Sequence, residues 1–214
     1  MSPSTGPGRR PGTSRAQAQY RWRAPRYDLE LRPFERYRVE AIARLQLRPG
    51  DTVLDVGCGT GLSFAALREG VGPQGRIVAC DPSPEMLALA RERVARAGWT
   101  GIELHLAEAA RAPLPGQADA ALFHFTHDVL RDPQALRHVL AHLRRGAHVV
   151  ACGLQWAPPW LPATNLFVLG AALYSVTRLE GLAAPWDLLA PHLRDVQVHS
   201  RGWGGIFLLE GRKA

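Results

Sequence analysis

The run Val53-Leu54-Asp55-Val56-Gly57-Cys58-Gly59-Thr60-Gly61 joins a carboxylate to three glycines at alternate positions. A β-rich stretch that ends in glycine lets backbone approach a ligand closely, at the carboxyl edge where open α/β sheets bind their ligands. The spacing G-x-G-x-G differs from the dinucleotide fingerprint G-x-G-x-x-G, which places a pyrophosphate at a helix N-terminus. Asp55 sharpens the distinction, because a carboxylate at the strand end repels a pyrophosphate and suits a ligand bearing an ammonium group. A second carboxylate, Asp81, follows the next apolar run and precedes Pro82-Ser83-Pro84. It is placed either to bind a ligand or to cap the helix that begins near Ser83.

These residues need a scaffold, and the pattern around them supplies one. Thr52 to Val56, Arg76 to Cys80, Ile102 to Leu106, Ala118 to Phe123 and Ala147 to Cys152 read as strands. Ser83-Pro84 and Asp132-Pro133 are helix starts, each a capping side chain followed by proline at the first helical position. Leu136, Val139, Leu140 and Leu143 then repeat as the stripe of a helix lying on a sheet. Alternating strands and helices predict a parallel sheet with helices on its faces. The end of the chain breaks the rhythm, with a helical stretch near Pro185 to Leu193 followed by two strands, Asp195 to Ser200 and Gly205 to Gly211. Strands that close in sequence must pair antiparallel.

The chain of 214 residues has the size of one full domain, and 46% hydrophobic against 21% charged residues suffices for a sizeable core. No apolar run approaches the roughly 20 residues that span a bilayer. Three cysteines, Cys58, Cys80 and Cys152, form neither a disulfide framework nor a zinc motif, so a cytoplasmic protein with reduced thiols is expected. The net charge of +7 is local: residues 1–48 hold eleven arginines against four acids, and the rest of the chain is balanced. Residues 1–18, rich in Pro, Gly, Ser and Arg, read as a disordered basic tail. Residues 19–48 add aromatics (Tyr20, Trp22, Tyr27, Phe34, Tyr37) and an amphipathic stretch from Pro33 to Leu45, expected to form a helical lid. Residues 49–214 make up the main domain.

From Gly50 to Gly153 the chain resembles the class I S-adenosylmethionine-dependent methyltransferases. The resemblance rests on four motifs in register: Val53 to Gly61, Ala79 to Leu87, Leu106-Ala107-Glu108-Ala109, and Ala118 to Phe123. It implies an α/β fold of three layers, Rossmann-like and single-domain, whose seven-stranded, mostly parallel sheet ends in an antiparallel pair. It also implies S-adenosylmethionine as cofactor, held by Asp55, Gly57, Cys58, Gly59, Gly61 and the Phe123–His124 strand end. Asp81 and Pro82 would meet the ribose, whose two hydroxyls can both donate to one carboxylate. Met86 would lie on adenine, and Glu108 would accept from its amino group. Ala107 and Glu108 depart from the family's usual Gly-Asp.

The acceptor side is read on the same footing. His124-Phe125-Thr126-His127-Asp128 lies where the methyl acceptor belongs, and His127, ahead of Asp128, is the candidate general base because a histidine titrates near neutrality. The bland alternative is that these residues shape the loop. A metal site there is not expected, since three residues at one strand exit seldom converge; His138 and His142 read as a solvated helix face. The apolar, aromatic segment after Gly153 suggests a hydrophobic or lipid-like acceptor, or an amine held by cation–π contact. Tyr27, Tyr37, His127, Trp156 and Trp160 are its candidate contacts. The expected partner is therefore a small molecule, with peripheral membrane contact compatible with the basic segment and nucleic acid disfavoured by the balanced body. An RNA methyltransferase using the basic N-terminus, or a non-catalytic cofactor- or lipid-binding module, are the rival readings.

Overall fold

The computed structural model describes residues 32–175 and 181–214. The tail expected over residues 1–18, Tyr27, and the part of the expected lid before residue 32 lie outside the described residues.

A 3₁₀ turn at Arg32–Phe34 leads into helix α1 (Glu35–Arg44). Strand β1 (Thr52–Val56), helix α2 (Phe64–Val71), strand β2 (Arg76–Asp81), helix α3 (Pro84–Ala97) and strand β3 (Ile102–Leu106) follow. Strand β4 (Ala118–His124), a short helix α4 (His127–Leu130), helix α5 (Pro133–Ala141) and strand β5 (Leu143–Leu154) complete the parallel part. Helix α6 (Pro162–Ser175) then precedes the closing hairpin of β6 (Leu193–Arg201) and β7 (Ile206–Lys213).

Both expected helix starts are capped as their residues require. The Ser83 hydroxyl accepts from the Met86 amide at the head of α3, and Asp132 accepts from the Gln134 amide at the head of α5. Gly98, at φ +64°, ends α3 in the left-handed conformation.

The seven strands form one sheet in the order β3-β2-β1-β4-β5-β7-β6. β1 to β5 run parallel, while β7 inserts antiparallel between β5 and β6. The direction of winding reverses between β1 and β4, which makes their carboxyl ends the switch point where open α/β sheets bind ligands. Each strand's alternation divides its side chains between two cores. Val53 of β1 faces α1, α2, α3 and α6, whereas Leu54 and Val56 face α5. The sheet between two helical layers is the architecture the alternating pattern implied.

Two regions differ from expectation. The stretch near Pro185 to Leu193 forms turns and a 3₁₀ turn at Ala190–His192 in place of a helix, and β6 already begins at Leu193. Pro191, inside that stretch, removes an amide donor that a helix would use. The amphipathic stretch after Pro33 is helical, but it is part of the core: Tyr37, Ala41, Ile42 and Leu45 are buried in it. The polar side of α1 is tied to the last strands. Glu40 takes two nitrogens of Arg201, one at 2.7 Å, and Arg44 bonds both Glu210 and His199. The Arg201 guanidinium holds the Glu40 carboxyl below its usual range.

Candidate functional site

The turn after β1 is a scaffold made largely of backbone. Gly57, Gly59 and Gly61 all have positive φ. The amides of Gly57 and Cys58 both donate to the Cys80 carbonyl at 2.9 and 3.1 Å, bending the chain across the end of β2. A side chain at Gly57 has no room, since a Cβ there would lie 2.4 Å from Cγ2 of Thr126. The Asp81 carboxylate locks the turn from the neighbouring strand, accepting from the Gly59 amide through Oδ2 and the Ser83 amide through Oδ1, each at 2.9 Å. Burial raises its pKa and these two amides oppose that rise. Each oxygen keeps a second lone pair, so Asp81 can still accept two hydroxyls.

Beside the turn lies a polar cluster under the α1 layer. Register explains it: Asp55 pairs with Leu122 across β1 and β4, so Asp55, Leu122 and His124 share the face that α1 covers. From α1 the Arg38 side chain reaches this face and is only 2% exposed, with Glu35 as its salt-bridge partner. Asp55 Oδ2, His124 Nε2 and Thr126 Oγ1 are all buried without a hydrogen-bond partner. Unsatisfied groups of this kind cost about 1–3 kcal/mol each, so several gathered in one place mark a ligand site more readily than a packing accident. Desolvation, opposed by Arg38 and reinforced by Asp81, pushes the Asp55 carboxyl up to about 7. Burial and the Arg38 charge push His124 down to about 3, so its ring is neutral at any working pH.

Arg38, Asp55, Gly57, Gly59, His124 and Phe125 line a common cavity of about 30 Å³. It has room for the small polar end of a ligand, not for a nucleoside. Phe125, held at φ +58°, forms its aromatic wall. The ring stands edge-on to His124 at 4.8 Å and to Phe34 at 5.1 Å, and Phe34 in turn stacks on Phe167 of α6 at 6.2 Å.

Other sequence candidates occupy other places. Pro82 is exposed in the turn after β2, Met86 is buried beneath it, and Phe123 is fully buried in the core on the α5 side. Glu108 is exposed at the sheet's rim near Arg111. Burial, with Asp55 and Asp81 nearby, raises the Cys58 thiol well above its usual range. His127 does not line the cavity. Its Nε2 donates to the Leu154 carbonyl at 2.9 Å, its ring lies where a Cβ on Gly153 would be, and burial lowers its pKa. Away from the cavity, the ring ties the turn that carries Phe125 and Thr126 to the end of β5. Tyr37 is buried against Gly202, Trp156 packs on the core edge, and Trp160 is 77% exposed.

Phe125 and Thr126 belong to the segment read at the acceptor edge and Phe34 to the aromatics expected to cover it, whereas Arg38 joins the cluster without having been singled out. For Arg38 a signal existed: Phe34, Tyr37, Arg38, Ala41, Ile42 and Leu45 follow the spacing of one helical stripe, so the charge sits inside the apolar face.

Residues 53–146 match the model of a methyltransferase domain. The chain is 32% identical over 159 residues to a 2-phytyl-1,4-naphtoquinone methyltransferase of Thermosynechococcus vestitus, a match covering 72% of this chain and 69% of that protein. It is also 32% identical over 172 residues to a trans-aconitate 2-methyltransferase of Azoarcus sp., covering 74% of this chain and 63% of the relative. Of three further curated relatives it spans only 35%, 18% and 32% of their length. The fold is shared with the N-methyltransferase NodS from Bradyrhizobium japonicum WM9, solved in complex with S-adenosyl-l-homocysteine. That likeness has a TM-score of 0.61 over 86% of this chain and 90% of the other, at 19% identity.

Proposed function

The chain belongs to the class I S-adenosylmethionine-dependent methyltransferases, and on that premise we propose that it methylates a small hydrophobic acceptor held against Phe125. The observation that carries this reading is the cavity itself: a buried acid and a buried arginine at its base, with an aromatic wall above them. The residues suit the cofactor. A carboxylate and a guanidinium in one small cavity match the ammonium and carboxylate of an amino-acid end, and orphaned Asp55 Oδ2 gains a partner from such a ligand. Asp81 can accept the ribose hydroxyls, and Glu108, exposed at the rim beside Arg111, is the candidate for the base. When bound, S-adenosylmethionine supplies an electrophilic methyl group on a sulfonium, so the reaction is an in-line displacement.

The protein's part is then chiefly alignment and exclusion of water. Phe125 and Phe34 present an apolar surface to a flat acceptor. His124, neutral and with Nε2 unpaired, orients a polar atom of the acceptor by a hydrogen bond. A histidine with its pKa near 3 is a weak base, so the acceptor must arrive as a competent nucleophile or give its proton to solvent. The apolar wall fits a ring like that named for the naphtoquinone relative better than a polyacid such as trans-aconitate.

Calorimetric titration with S-adenosylhomocysteine tests the cofactor half. Arg38→Met and Asp81→Ala should each weaken binding by about 1.5–3 kcal/mol, the range for a hydrogen bond to a charged group. Unaltered affinity in both variants would refute the assignment. For the acceptor half, methyl transfer from labelled cofactor to phenols and quinols but not to hydrophilic acids is expected; the reverse preference would overturn it.

A further inference from the structure

Helix α6 carries no charged residue, and its outward stripe, Pro162, Ala163, Leu166, Phe167, Gly170 and Leu173, is apolar and exposed. Leu166 is 71%, Phe167 55% and Leu173 63% exposed, while Val168 and Ala172 on the opposite side are buried. The helix thus lies along the surface. At 14 residues it is about 21 Å long, short of a bilayer's hydrocarbon thickness. Among the described residues no helix is long and apolar enough to cross a membrane.

Two exposed tryptophans flank this helix. Trp160, just before α6, is 77% exposed, and Trp203, in the β6–β7 turn, is 81% exposed. The turn packs against the inner flank of the same helix, where Gly204 lies against Pro158 and Gly205 against Thr164 and Val168. Basic charge borders it. Phe34 stacks on Phe167, and its neighbours Arg32 and Arg36 are exposed. Through this point the chain joins the segment, residues 1–48, that holds its whole excess of +7. An apolar face with Trp, Phe and Leu beside concentrated arginine is the composition of a surface that lies in an anionic lipid interface.

We infer that the α6 face, with Trp160 and Trp203, docks the protein on anionic bilayers. The contact series Phe167, Phe34, Phe125 leads from this face to the cavity, so a lipid-dissolved acceptor reaches the site without crossing water. That use of the face, though not the face itself, rests on the hydrophobic acceptor proposed above.

Flotation of the full chain with vesicles tests it. Binding to equimolar phosphatidylcholine and phosphatidylglycerol, but not to phosphatidylcholine alone, is expected, with release at high salt. The double variant Leu166→Asp, Leu173→Asp should bind these vesicles at least about tenfold more weakly, because apolar area drives interfacial binding. S-adenosylhomocysteine affinity, measured on the same samples, should not change. No flotation by protein that binds S-adenosylhomocysteine overturns this inference alone, and so does equal flotation of the variant. Flotation without cofactor affinity would instead sink the cofactor reading and leave the lipid surface standing. A wild-type dimer that the double variant converts to monomer would assign the face to a second copy. A photocrosslinker at Leu173 that captures residues 1–31 without lipid would assign it to the chain's own segment. Either result overturns the proposal.

Discussion

Around Gly57 and Asp81 the site is made of main chain: glycines at positive φ, amides donating to Cys80 and Asp81, all within two adjacent strands. Around Phe125 it is made of side chains gathered from afar, with Arg38 and Phe34 at one end of the sequence, His124 in the middle and Phe167 on α6. The first kind of site tolerates almost no change in residue type. The second depends on packing and can be retuned one ring at a time, which suits the acceptor side proposed above.

Substitutions on the two sides should separate these behaviours, beginning with the severest. Gly57→Ala forces a Cβ into Thr126 at a positive φ. It should cost about 3–5 kcal/mol of stability by denaturant titration, and Thr126→Ala in the same chain should recover part of it. A tolerated Gly57→Ala would break the contrast outright.

Asp55→Asn addresses the charge that this backbone encloses. Its raised pKa means the folded state holds a proton that the unfolded state has lost, so this group's contribution to stability falls as pH rises from about 4 to 7. At pH 8 the asparagine variant should be more stable by on the order of 2–4 kcal/mol and should lose that pH dependence, while binding cofactor less well. Equal melting curves for the two proteins at pH 8 would count against a buried, strained carboxylate.

On the acceptor side smaller effects are expected. Phe125→Ala should raise the acceptor KM about tenfold while the S-adenosylhomocysteine Kd stays within about twofold, since one aromatic contact is lost. A parallel shift in both constants would erase the division between the halves. His127→Gln should cost about 1 kcal/mol of stability for a lost hydrogen bond and leave the shape of the pH–rate profile unchanged. Loss of an ionisation from that profile would restore His127 as a base. Glu108→Ala, at an exposed rim, should change cofactor binding by no more than about 0.5 kcal/mol.

The same contrast governs what could be read beforehand. The glycine turn, Asp81 and the capped starts of α3 and α5 were legible because each is fixed by neighbours a few residues away. So was the sheet, whose strands announce themselves by local alternation. Arg38 was not, because its role depends on which helix covers which strand, a long-range fact. For His127 the sequence offered the residue type alone: a histidine's chemistry is set by its burial and by the carbonyl it meets, here Leu154, and sequence shows neither. The turns near Pro185 show tertiary context and proline overriding a helical pattern.

The ion pairs joining α1 to the final strands bear on how the molecule is made. Glu40 and Arg201 are separated by 161 residues, and Arg44 and Glu210 by 166. Because β7 must also slot between β5 and β6, a hairpin made long after α1 helps seat the helix that brings Arg38 over the cavity. Contacts of such long range slow folding and postpone it until the hairpin has been made. A ribosome-bound chain halted before β6 should therefore be digested readily at α1 by protease and fail to retain S-adenosylhomocysteine, even though the complete glycine turn has already emerged. Early protection of α1 would show that its docking does not wait for the hairpin.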